Sequence, residues 1–482
     1  MTDRTQADRP QTDRIQPDRT QLSGSLGVGS IVFMVVAAAA PLTVIAGTVP
    51  LGIAIGNGPA FPATFALSAA VLLLFAVGFC AMSPHVPDAG AFYAYVERGL
   101  GHVTGLGTAF LALATYTAVQ LAVYGYIGAV IDGLVQHYGG PAQPWWSYSV
   151  IVLAVVAVLG YRRIALSSRV LGVLLVGEVA IVLVFDAVVT GTGGAHGPST
   201  ALLVPSEIGS GSIGVALMFA VAGFIGFEAT AVFRDEAREP ARTIPRATYL
   251  ALVLIGAFYT LSAWAVVTAW GDSGAVAAAG ADPGGMVVTT ITNYLGTGGG
   301  DVAQILLVTS LFAAILSFHN VLARYFFALG GSGALPAACG RTHPRHGSPH
   351  IGSFVQSTTA LVLVALFALV GLDPVTQVFA WMAGTATLGV LALMALTCLA
   401  VLVYFRRTRV DTRPWQTVVA PTLGFVGLLV FLYLTISNFP TLIGGSAGLA
   451  TAIGAVLVVF FAAGAVWSRA RRTAAVPAAA TT

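Results

Sequence analysis

Two carboxylic acids stand where acids are scarce. Glu178 and Glu228 lie inside long apolar runs, and no arginine shares a run with either. An ionised carboxylate in hydrocarbon is expensive, so such a residue faces a bundle interior or a wet cavity. An acid with no basic partner there suits a group that loads and releases a proton. It suits as well a neutral carboxyl hydrogen-bonded to a neighbouring helix. Glu178 comes about eight residues into its run, about 12 Å deep at 1.5 Å per residue. Asp186 follows eight residues later, about 80° round the same helix.

Two stretches break the rules of a continuous helix. The first is Ala37-Ala38-Ala39-Ala40-Pro41, inside an apolar run. Proline has no backbone N–H and clashes with the carbonyl one turn back. In lipid the freed groups must be satisfied by protein, water or ligand, and a row of alanines lets other atoms come close. Read alone, this is either an opening in the helix or a packing kink between small residues. The second is Phe219-Ala220-Val221-Ala222-Gly223-Phe224-Ile225-Gly226-Phe227-Glu228, where Gly223 and Gly226 weaken the helix one turn ahead of the acid. Breaks at matching places in two spans point to an inverted-repeat transporter, whose half-helix N-termini offer bare N–H groups to an anion such as a carboxylate.

Other polar residues share helix faces. Ser317, Asn320 and Arg324 lie three and four apart and so share one face, with His319 about 100° away from Asn320. Tyr116, Gln120 and Tyr124 make a polar-aromatic stripe that either lines a path or hydrogen-bonds across helices. Cys80, Cys339 and Cys398 form no pairing or metal-ligand spacing. The histidines are scattered except for His343, His346 and His350, which with Arg341 and Arg345 read as a polar loop.

The elements that must position these groups follow from composition. Of 482 residues, 57% are apolar and 9% charged, against about 25% charged in a soluble chain; mean hydropathy is +0.88. A soluble enzyme, a secreted cysteine scaffold and a nucleic-acid binder are excluded. A helix needs about 20 apolar residues to cross the hydrocarbon, and twelve segments qualify, near 27–49, 61–82, 102–131, 146–161, 170–190, 213–233, 247–270, 302–328, 352–371, 376–404, 417–437 and 441–466. All 22 basic residues are arginines. With the N-terminus inside and twelve spans, every one falls on the inner side, while Glu207, Asp272, Asp282, Asp301 and Asp373 fall outside, as the positive-inside rule requires. Both termini are therefore expected in the cytoplasm. Asp-Arg recurs every five residues from Asp3 to Arg19, in a stretch with almost nothing to bury, so residues 1–24 are expected to be disordered. They lack the apolar core and small-residue cleavage site of a signal sequence. Residues 467–482 are expected to form a second cytoplasmic tail.

Three loop patterns add to this. Arg234-Asp235-Glu236-Ala237-Arg238-Glu239-Pro240-Ala241-Arg242-Thr243-Ile244-Pro245-Arg246-Ala247 follows the sixth span. Ala328 to Pro336 follows the eighth, and Asp88 to Gly101 precedes the third. Together with the glycine-aromatic-glutamate at Gly226-Phe227-Glu228, these resemble the amino acid–polyamine–organocation permeases over about residues 25–466. The resemblance implies an all-α membrane protein of twelve transmembrane helices. Five-plus-five inverted repeats would occupy about 27–190 and 213–404, with helices one and six discontinuous and two extra helices at 417–466. It implies that Ala38, Ala39, Ala40 and Pro41 hold a substrate carboxylate. Ala222, Gly223, Phe224, Ile225 and Gly226 would meet its amino group through carbonyls, and spans one, three, six, eight and ten would form the side-chain pocket. Glu178, Glu228, Tyr116, Gln120, Ser317 and Asn320 are the expected coupling or gating residues. The chain departs from the family in two ways. Many members break helix one with glycines, where this chain has four alanines and a proline. Some members use a lysine in helix five, but this chain has no lysine and offers Glu178 there.

The expected function is amino-acid transport across a bacterial plasma membrane by alternating access, with proton-coupled uptake of a neutral or apolar substrate. An amino-acid/amine exchanger, a polyamine permease, a non-transporting sensor and a channel are the alternatives. A channel wants a continuous polar stripe and an enzyme a convergent His/Asp/Cys group; no run supplies either. No cofactor, metal or nucleic acid is expected. The expected partners are the amino acid, protons and membrane lipid.

Overall fold

A computed structural model describes residues 26–86, 92–162, 168–230 and 237–474. The Asp-Arg repeat, the acidic pair Asp235-Glu236 and the last residues of the C-terminal tail lie outside them. The described spans are helical, as lipid demands: a helix satisfies its own backbone groups where no water can. Among the described residues, eleven helical stretches are long and apolar enough to cross a membrane, and Val28–Ala39 is a shorter apolar helix.

In chain order the helices begin with α1 (Val28–Ala39), α2 (Pro41–Leu51), α3 (Phe61–Met82), α4 (Phe92–Leu100), α5 (His102–His137), α6 (Trp145–Arg162) and α7 (Ser168–Thr192). A single turn, α8 (Pro205–Ile208), leads to α9 (Ile213–Ala222), α10 (Pro240–Trp270), α11 (Asp272–Ala281) and α12 (Met286–Gly331). The last four are α13 (His350–Val370), α14 (Ala380–Thr408), α15 (Ala420–Leu442) and α16 (Ala447–Ala474).

Several boundaries differ from the sequence expectation for physical reasons. α10 starts at Pro240, inside the stretch read as a loop, because proline suits the first turn of a helix. α12 reaches back to Met286 across a kink at Gly296 (φ 75°), a conformation open to glycine. α16 continues eight residues past the expected end at 466. α14 is preceded by a wide turn at Pro374–Phe379, in which the Val378 N–H reaches back five residues to the Asp373 carbonyl.

Burial separates the helices into two kinds. Every residue of α2 is buried, as is all of α9 from Gly214 to Val221. α5 and α14 are buried along most of their length. By contrast α6, α7, α13 and α16 expose valines and leucines such as Val173, Leu369 and Val458, which in a membrane protein face lipid. The hydrophobic effect does not drive helices together in lipid, so close van der Waals approach matters more. α5 and α16 meet at bare backbone: a Cβ on Gly464 would lie 2.5 Å from the Leu106 carbonyl oxygen.

Candidate substrate site

The two expected breaks are both present and they adjoin. α1 ends at Ala39, Ala40 takes a left-handed conformation (φ 47°, ψ 69°), and α2 starts at Pro41. α9 ends at Ala222; residues 223–226 form turns, and Gly226 has φ 113°. A Cβ on Gly226 would sit 3.7 Å from the Ala38 carbonyl oxygen, so the two breaks face one another. The local causes differ. Proline cannot continue α1, and Ala40 absorbs the change of direction at a conformational cost of about 1–2 kcal/mol. At Gly226 glycine does so without that cost. Ala40→Gly is therefore expected to raise the melting temperature of the purified protein and Gly226→Ala to lower it, each by an amount corresponding to about 1 kcal/mol. Equal and opposite signs by differential scanning fluorimetry check the assignment.

Between the breaks lies a cavity of about 60 Å³, lined by Ala38, Ala39, Ala40, Thr43, Val44 and Thr48, by Val119, Ala122 and Val123 of α5, and by Ala222 and Ile225. Ala314 and Phe318 of α12, Phe379, and Ala383 and Ala386 of α14 complete it. The lining thus comes from spans one, three, six, eight and ten. Its polar side chains are two threonines. The positive end of α2 and the negative end of α9 both abut it, so opposite partial charges flank one small apolar space.

Glu178 sits behind the first break. Its Oε2 accepts from Ser310 Oγ of α12 (2.8 Å), and the Ser310 oxygen accepts from Thr43 Oγ1 (3.1 Å). The Leu42 N–H also donates to this carboxylate. One acid therefore ties α7 to α12 and to the first free N–H of α2, while Thr43 carries the connection to the cavity wall. Glu228 does the same at the second break. Its Oε2 accepts from the Gly226 N–H (2.9 Å) and its Oε1 from Tyr116 Oη (2.8 Å), joining the break to α5. Beside this clamp, the Tyr116 ring lies 6.0 Å from Phe318 and 5.8 Å from Tyr325. Asp186 is buried apart from both, with Ser262 Oγ of α10 donating to it at 2.8 Å.

The remaining expected residues are placed as follows. Pro41 is buried as the first residue of α2. Gly223 packs under Val44, where a Cβ would come within 2.7 Å. Phe224 is buried against Phe65 and Tyr259. Gln120 does not line the cavity: its amide donates to the Ile315 carbonyl and its oxygen accepts from Gln356 of α13. Ser317 is exposed and Asn320 half-buried, and neither lines the cavity.

A second, larger cavity of about 690 Å³ is bordered by three of the acids expected outside. Tyr126, His137, Asp282, Asp301 and Asp373 help line it. Two rings stand between it and the small cavity. Tyr126 lines the larger space and Phe379 the smaller, with ring centroids 5.1 Å apart. Tyr126 Oη donates to the Gly284 carbonyl (3.2 Å), and Phe379 packs on Gly47, where a Cβ would come within 2.7 Å of its ring. Removing one ring should join the two spaces. In Phe379→Ala, a cysteine at Ala383 is expected to react with a polar thiol reagent added outside at least about tenfold faster than in the parent. Removing a buried Phe also costs about 3–5 kcal/mol of stability, so folding is checked by gel filtration.

These features agree with comparisons to known proteins. The amino acid permease family model matches residues 30–474. The chain is 23% identical over 401 residues to the branched-chain amino acid permease BcaP of Bacillus subtilis, covering 80% of this chain and 82% of that protein. It is 25% identical over 402 residues to BcaP of Lactococcus lactis, covering 77% and 81%. It is 21% identical over 310 residues to the low-affinity putrescine importer PlaP of Escherichia coli, covering 63% and 66%. With a family match over nearly the whole chain, broken helices around a central cavity and a membrane-spanning bundle, the chain belongs to the amino acid permease family: it is a multi-pass secondary-active transporter of amino acids or related solutes, and not an enzyme.

Proposed function

We propose that the chain imports a neutral, apolar amino acid together with protons across a bacterial plasma membrane. The observation that carries this reading is the cavity between the two breaks, flanked by helix ends of opposite polarity and walled by alanine and valine. The substrate carboxylate would lie toward the start of α2 and its ammonium toward the end of α9, while an aliphatic side chain fills the space among Val119, Val123 and Ala383. A cavity without a lining acid favours an aliphatic amino acid over a diamine, which would bring a second positive charge. The names of the Bacillus and Lactococcus relatives support a branched-chain substrate.

In this reading α1 and α2 form one broken span, giving twelve spans in five-plus-five inverted repeats with two added helices. Both termini face the cytoplasm, where the arginines gather. Transport runs by alternating access. The Tyr126–Phe379 pair opens on the outer side and the Glu228–Tyr116 clamp on the inner side. Glu178 carries the coupling proton, because it touches both the start of α2 and α12. Uptake of radiolabelled leucine, isoleucine or valine into proteoliposomes tests the reading. Uptake should rise with an inward proton gradient, and putrescine should not compete. Competition by putrescine together with no leucine uptake or counterflow would move the substrate class to amines.

A further inference from the structure

Between α6 and α13 lies a groove of about 360 Å³ that shares no residue with the central cavity. Val158, Tyr161 and Arg162 form one wall and Ser353, Phe354 and Ser357 the other. Its apolar part faces outward from the bundle: Val158 and Phe354 are 52% and 66% exposed. Its end is basic. Arg162 is the last residue of α6 and is exposed. The Tyr161 ring is surrounded by the imidazoles of His343, His346 and His350, at centroid distances of 5.3, 6.3 and 6.0 Å.

The loop holds these histidines in place. His343 Nδ1 accepts the N–H groups of Arg345 and His346, and Ser348 Oγ donates to the Tyr161 carbonyl. The sequence has no Asp or Glu between Asp301 and Asp373 or within α6, and among the described residues no ion pair includes Arg162 or Arg345. Burial and then the charges of His346, His350 and Arg345 push the His343 imidazole below its usual range. An anion among these groups would reverse that repulsion.

We propose that this groove binds an anionic phospholipid, its acyl chain lying along Val158 and Phe354 and its phosphate held by Arg162, Arg345 and the three histidines. An apolar trough on a lipid-facing surface that ends in positive charge, with no ion pair to Arg162 or Arg345 among the described residues, is complementary to such a lipid. Basic pockets between transmembrane helices bind anionic headgroups in the same way. A zwitterionic lipid would gain the apolar contact without the net charge. Ser353 Oγ, in the groove wall, is hydrogen-bonded to the buried His319 of α12 (2.8 Å), so the wall is tied to the span that lines the central cavity.

The test is a thermal-shift titration of the full-length, detergent-purified protein with phosphatidylglycerol, phosphatidylcholine or inorganic phosphate. Phosphatidylglycerol is expected to raise the melting temperature saturably, and the other two are not. Arg162→Gln and Arg345→Gln should each weaken the apparent affinity about fivefold, and Ser357→Trp, which fills the trough, should abolish the shift. Equal shifts from phosphatidylcholine, a matching shift from phosphate alone, or unchanged affinity in both arginine variants would overturn the proposal. Because Arg162→Gln and Ser357→Trp act on opposite ends of the groove, loss of folding in one leaves the other to decide.

Discussion

Glu178→Gln is expected to abolish proton-driven accumulation while leaving substrate counterflow intact. The amide keeps the shape of the acid and one acceptor oxygen for the Leu42 N–H, and the Ser310 hydroxyl can turn to accept from its NH2, so the link between α7, α12 and α2 survives. What it cannot do is gain and lose a proton. In the parent, one proton carried per substrate allows accumulation to grow about tenfold per unit of pH gradient, the free energy of one such unit being about 1.4 kcal/mol. In the variant the ratio of internal to external substrate should stay near one at every gradient. Glu178→Ala is a different experiment. It leaves the Ser310 hydroxyl and the Leu42 N–H without their acceptor, at about 1–3 kcal/mol for each buried group left unmade, and should lower stability as well as transport. If Glu178→Gln still accumulates substrate as the parent does, the coupling proton is carried elsewhere, and Glu228, clamped between Tyr116 and the Gly226 N–H, is the next group to replace.

The second large effect is steric. Ala383 lines the central cavity from α14 and is 5% exposed. A benzyl group there would occupy the space where the aliphatic side chain of the substrate is placed. Ala383→Phe should eliminate substrate binding, and with it uptake and counterflow, at every pH. Overpacking costs about 1–3 kcal/mol, so the variant should still elute as a folded protein. Retained substrate binding in a folded Ala383→Phe would mean the site lies elsewhere. The pair of variants separates two questions: one removes coupling and keeps binding, the other removes binding altogether.

Much of this arrangement is legible in the residues because lipid leaves little choice. Long apolar runs must be helices, so the eleven long helical stretches among the described residues follow from composition. Pro41 and Gly226 mark the breaks because a proline or a positive φ cannot be hidden in a regular helix. Glu178 and Glu228 announce themselves as acids in apolar runs. The cavity wall is another matter. Ala122, Ala314 and Ala383 are small residues among dozens of small residues, and only the packing of α5, α12 and α14 around the breaks picks them out. Gln120 stands in a convincing stripe with Tyr116, yet only Tyr116 reaches a break. Gln120 turns toward Gln356, a partner 236 positions away that no local pattern reveals. The wide turn at Pro374–Phe379, which sets Phe379 between the two cavities, is equally silent, since its cause is the Asp373 carboxylate capping Val375 and Thr376.

The proposed site can be probed without any assumption about coupling. The natural cysteines Cys80, Cys339 and Cys398 are buried and none lines the central cavity, so a cysteine placed at Ala122, in the cavity wall, supplies the reactive thiol. Its alkylation rate in purified protein should fall progressively as a branched-chain amino acid is added, reaching half its starting value at the concentration that half-saturates uptake. A rate indifferent to an amino acid that the same protein transports would contradict the placement of the substrate between the two broken helices.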